Sequence, residues 1–111
     1  MSEFDEKVNE ALAAAKTLGI EVDSVLLSKV AKGLGPSIYK ADASLVSSSD
    51  TEELDRVKTN FLKGKLGCTN EADMDAAITH AINTFGSSNR NKLRILFYYL
   101  CVVKLDKSSV Y

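Results

Sequence analysis

Nine consecutive apolar residues, Ile95 to Val103, constrain this chain more than any other stretch. Nine is about half of the roughly 20 that a helix needs to cross a bilayer, so the run reads as interior and not as a membrane span. Two stripes can be drawn through it at helical spacing: Leu93, Leu96, Phe97 and Leu100 on one side, Ile95, Tyr98, Val102 and Leu105 on the other. A helix that is apolar nearly all round must be covered on both sides, either as the central element of its own domain or by a second chain. An extended strand is the competing reading of so short a run; continuity with the helix-spaced residues before it favours the helix.

The rest of the chain has the same period, and clean two-residue alternation occurs nowhere, so an all-α, compact orthogonal bundle of about five helices is expected. The first helix spans about Glu3 to Leu18, with Phe4, Val8, Ala11, Leu12, Ala15 and Leu18 inward, Ser2 as its cap and Gly19 past its end. The second follows Asp23, with Val22 and Leu27 as a hydrophobic staple, and ends at Gly33 and Gly35. Pro36 suits one helical turn, and a loop runs to Ser49. Ser49 with Glu52, or Asp50 with Glu53, has capping-box spacing and opens a long third helix with Leu54, Val57, Phe61 and Leu62 inward, a Glu52–Arg56 pair and loosening at Gly64 and Gly67. A fourth begins after Thr69 or Asn70, buries Met74, Ile78, Ala81, Ile82 and Phe85, and stops at Gly86. Ser87 or Ser88 caps the last helix, which runs to about Leu105.

Length and charge bound the function classes. The 111 residues form one domain, 1–111, large enough to hide roughly two-thirds of its unfolded surface without disulfides or metals. A net charge of -1 argues against a strongly basic nucleic-acid binder. The opening Met1-Ser2-Glu3-Phe4-Asp5-Glu6 is acidic where a secretory leader is basic, so the expected location is the cytoplasm, with Cys68 and Cys101 as free thiols.

Candidate chemistry is sparse. The single histidine, His80, falls opposite the apolar stripe of its helix, pointing to water, and one histidine cannot furnish a catalytic zinc site. Asp42, Ser44 and Val46 fail as calcium ligands because the third position offers no side-chain oxygen. Glu52, Glu53 and Asp55 are explained by the helix dipole. Gly33-Leu34-Gly35-Pro36-Ser37 looks faintly like a phosphate loop, but it lacks the Walker spacing, and termination by Gly with restart by Pro explains it. Cys101 lies on the apolar flank of Phe97 and Leu100; Cys68, in a loop, is the more reactive thiol. Tyr98 and Tyr99 are embedded in aliphatic residues and read as core or interface packing, not as a base-stacking platform.

The sharpest feature is Ser88, Arg90, Lys92 and Arg94, three cations where a helix start prefers acids. A bound anion would repair this conflict, as would an acidic surface on helix one or four; salt bridging is the favoured reading and anion binding the alternative.

The segments Gly35-Pro36-Ser37-Ile38-Tyr39-Lys40, Asn60-Phe61-Leu62, Lys65-Leu66-Gly67 and Ser88-Asn89-Arg90-Asn91-Lys92 leading into Phe97-Tyr98-Tyr99-Leu100 resemble an uncharacterised family of small bacterial proteins, domain of unknown function 2853. The resemblance covers about 35 to 105. It implies a compact multi-helical fold and a bacterial cytoplasmic setting, and brings no activity, cofactor or catalytic residue.

The function expected from these observations is a non-enzymatic interaction or structural module without cofactor or metal, whose partner is an unknown protein or a second copy. Self-association would use Ile95, Tyr98, Val102 and Leu105. The alternative is a small anion- or nucleic-acid-binding protein using Ser88, Arg90, Lys92 and Arg94, with Lys63 and Lys65 as further candidates; nucleic acid is disfavoured by the charge, and no membrane role is expected.

Overall fold

Three helix starts follow directly from side-chain caps in the computed structural model, which describes residues 3–40, 44–86, 88–89 and 92–111. The first helix, α1 (Glu3–Thr17), carries Glu3, Asp5 and Glu6 in its first turn and buries Val8, Ala11 and Ala15. Gly19 at φ 74° lets the Ile20 amide reach back to the Ala15 carbonyl at 2.9 Å, a Schellman closure. The Asp23 carboxylate accepts from the amides of Val25 (3.0 Å) and Leu26 (3.3 Å) and starts α2 (Ser24–Leu34). Asp23's own amide donates to the Tyr99 hydroxyl at 3.0 Å, which ties the start of α2 to the last helix. A 3-10 turn, Gly35–Tyr39, follows with Pro36 at its start and Ile38 buried.

Asp50 caps α3 (Thr51–Arg56), accepting from the amides of Glu52 (3.0 Å) and Glu53 (3.3 Å). The reciprocal half of the expected box is absent: the Glu53 carboxylate turns to Arg56 and Arg94. The i,i+4 pair of Glu52 with Arg56 is replaced by an i,i+3 pair of Glu53 with Arg56 at 2.9 Å. The helix then continues with wider winding, a π-helical stretch over Val57–Lys63. The Gly64 amide donates five residues back, to Thr59, at 3.1 Å. A Cβ on Gly64 would sit 2.6 Å from the Asn60 carbonyl oxygen, so this winding is built on a missing side chain. Asn70, accepting from the Asp73 amide at 3.1 Å, starts α4 (Glu71–Phe85), and Gly86 at φ 95° ends it.

The last helix, α5 (Arg94–Lys104), begins later than the seryl caps suggested. Leu93 forms an antiparallel bridge with Leu45, the Arg94 amide donates to the Ser44 carbonyl (2.7 Å), and the Val46 amide donates to the Lys92 carbonyl (2.8 Å). These bonds hold the chain extended up to the first residue of α5, and Ser88 is exposed and outside any helix. Ser2, Asp42, Ser87 and Arg90 lie outside the described residues.

Residues 95 to 102 of α5 are all buried, against α4, α2 and α1. Val103 is 51 % exposed and marks where the cover ends. The second stripe is therefore no free face. Ile95, Tyr98 and Val102 are buried within one chain and Leu105 is half-buried, so the self-association surface expected from the sequence is already occupied. Its physical cause is that α1, α2 and α4 all pack on α5, and Phe61 of the π-helical stretch stacks on Tyr98 with ring centroids 4.2 Å apart. Among the described residues no helix is long and apolar enough to cross a membrane.

Candidate functional site

Of the basic cluster at the start of α5, Ser88, Lys92 and Arg94 lie among the described residues, and Lys92 and Arg94 have different partners. Lys92 is 2 % exposed and its ammonium donates to the Asn89 carbonyl; burial holds its pKa below the usual lysine value. Arg94 is differently placed. It donates to the Tyr98 hydroxyl (2.9 Å) and the Leu45 carbonyl (3.4 Å), lies over the Tyr98 ring with 5.5 Å to its centroid, and forms an ion pair with Glu53. The acid that answers the helix-start conflict thus comes from α3, neither helix one nor helix four. Burial alone would raise the Glu53 pKa, but the hydrogen bonds and charges of Arg94 and Arg56 outweigh it and hold the carboxyl below its ordinary value. Lys63 is engaged as well, with Glu71 of α4 at 3.4 Å.

Arg94 and Tyr98 nevertheless form the floor of a cleft of about 310 Å³. Its walls come from three further parts of the chain: Gly33, Leu34 and Ser37 at the end of α2 and in the 3-10 turn, Asn60 and Phe61 on the π-helical stretch with Lys65 just beyond it, and Tyr111. Lys65 is exposed and its ammonium stands over the Tyr111 ring, 5.4 Å from the centroid. Burial pushes the Tyr111 hydroxyl up to about 12, with Tyr98 contributing. Ser37 is spent locally, donating to the Leu34 carbonyl at 3.1 Å.

Two other hollows are chemically poorer. A groove of about 570 Å³ between α1 and α2 has no aromatic wall, and its charged residues, Asp5 and Lys29, are of opposite sign. A hollow of about 240 Å³ between α3 and α4 contains an ion pair of its own, Lys58 with Asp75 at 3.0 Å. The cleft at Arg94 combines three aromatic rings, two cations and no acidic side chain in its lining.

Of the residues singled out in the sequence, the cleft includes Arg94, Lys65 and Tyr98 and excludes Lys92, Ser88, Lys63, Ile95, Val102 and Leu105. Ser37, Asn60 and Phe61 stood in segments noted for other reasons, and Tyr111 escaped a chain-wise reading because it is unremarkable in its own segment. The glycine–proline segment read as helix stop and restart does both, and also forms one lip of the cleft. His80 is exposed on α4, and Cys101 is buried with its thiol donating to the Ala77 carbonyl at 3.8 Å. Among the described residues no group of three metal-ligating side chains gathers.

A family profile described as Protein of unknown function (DUF2853) matches residues 9–109, and the chain belongs to that family. No curated protein matches it.

Proposed function

We propose that the protein is a non-enzymatic binding module and that the Arg94–Tyr98 cleft is where it engages a small ligand. One observation carries this reading: the cleft brings rings and polar groups from four segments around about 310 Å³, at the lower end of the volumes that small-molecule sites occupy. The exposed large apolar side chains among the described residues are Val25, Tyr39, Val103 and Val110, one on each of four elements. Scattered exposure of that kind is ordinary and favours a small ligand over a docked protein.

Amide chemical-shift mapping with a mixed fragment library tests the reading. Shifts gathered on Gly33, Asn60, Phe61 and Lys65 are expected. Hits that map elsewhere, or no hits at all, overturn it.

A further inference from the structure

We propose that the cleft takes a small aromatic anion, one flat ring system carrying a single carboxylate or phosphate, an assignment that rests on the binding-module reading above. The charge argument comes first. The lining side chains include Lys65 and Arg94 and no acid, and the neutralising Glu53 reaches Arg94 from outside the lining. Lys65 makes no ion pair with a carboxylate side chain among the described residues; its cation rests on the Tyr111 ring. An ammonium parked over an aromatic face at a cleft mouth can turn to an entering anion at small cost, since the exposed cation–π contact is worth only about 0.5–1 kcal/mol. Arg94 donates to the Tyr98 oxygen, so the hydroxyl proton of Tyr98 stays available for donation, and the Asn60 amide stands at the rim.

The rings specify the rest of the ligand. Phe61, Tyr98 and Tyr111 give the cleft an apolar, π-rich wall that an aliphatic or inorganic anion would leave poorly covered. The volume suits one substituted ring system and is too small for an extended cofactor. The backbone points the same way: Asn60 and Phe61 are presented by the π-helical stretch, a winding that recurs at functional sites because it re-aims side chains that an α-helix would direct elsewhere.

The test is titration of the whole chain, followed by amide shifts, with 2-naphthoate, 2-naphthyl phosphate, 2-naphthamide and cyclohexanecarboxylate. At least one naphthyl anion is expected to bind about tenfold or more tighter than both the neutral amide and the aliphatic acid, with shifts on Gly33, Asn60 and Lys65. Lys65→Gln, an exposed change that leaves the core intact, is expected to bring the naphthyl anions down to the affinity of 2-naphthamide. Equal binding of 2-naphthamide, or an unchanged affinity in Lys65→Gln, overturns the anion assignment while leaving the cleft a binding site. Equal binding of cyclohexanecarboxylate does the same for the ring. If no probe moves the cleft amides, the assignment and the binding-module reading fall together.

Discussion

Arg94 and Glu53, 41 residues apart in sequence, form an ion pair whose two side chains are only 13 % and 12 % exposed. Removing one partner strands the other away from water, which costs more than the pair contributes when intact. Glu53→Ala is therefore expected to lower the free energy of unfolding by roughly 2 kcal/mol, read from urea denaturation at neutral pH.

The same pair makes stability acid-sensitive. Glu53 titrates below the 4.5 of the free side chain when folded, so its contribution is complete above about pH 4.5 and is lost as the pH falls through the lower, folded value. Urea midpoints taken from pH 7 downward should fall more steeply for the native chain than for Glu53→Gln in this window. Parallel curves would show that the pair contributes nothing.

Two glycines near the cleft should respond in opposite directions. Gly64→Ala drives a Cβ to 2.6 Å from the Asn60 carbonyl oxygen, where backbone must move, and a loss of about 1–3 kcal/mol is expected. Gly33 lies within α2, and a Cβ there meets Tyr111 Cε1 at an ordinary 3.6 Å. Gly33→Ala should gain about 0.5–1 kcal/mol by restricting the unfolded chain. Thermal melts of the two variants measure both.

How much of this was legible in the sequence depends on how far each residue's partner lies along the chain. Asp50 and Asn70 satisfy amides two or three residues away, so a short window contains the whole interaction and their helix starts can be read directly. The start of α5 could not be read that way: Ser87 and Ser88 looked like local caps, but Leu93 is held extended by Leu45, whose position no local pattern reveals. The second apolar stripe was visible, and what covers it was not, because Phe61, which stacks on Tyr98, lies 37 residues away in sequence on the π-helical stretch. For the same reason the cleft, assembled from four segments, left Arg94, Lys65, Tyr98 and the glycine–proline segment as separate signs that nothing local joins.

The two thiols should separate cleanly. Burial pushes the Cys101 thiol up to about 12, with Cys68 contributing, whereas Cys68 is half-buried beyond the π-helical stretch. A thiol-reactive dye at pH 8 is expected to label one cysteine promptly and the second only on unfolding. Prompt labelling of both would show α5 to be open.

Tyr99 joins two helices through one hydroxyl, which accepts from the Asp23 amide at the cap of α2. Tyr99→Phe should cost about 1 kcal/mol, the usual worth of such a bond. Hydrogen exchange should locate the loss, with faster exchange at Asp23 and in the first turn of α2.

The depth of α5 also bears on how the protein is made. Its buried face meets α1, α2 and α4, so those helices cannot complete their apolar core until residues past 102 have been synthesised. During translation the upstream helices must wait with a greasy trough open to water, and the interval before α5 docks is when nascent chains are most exposed to aggregation and to capture by chaperones.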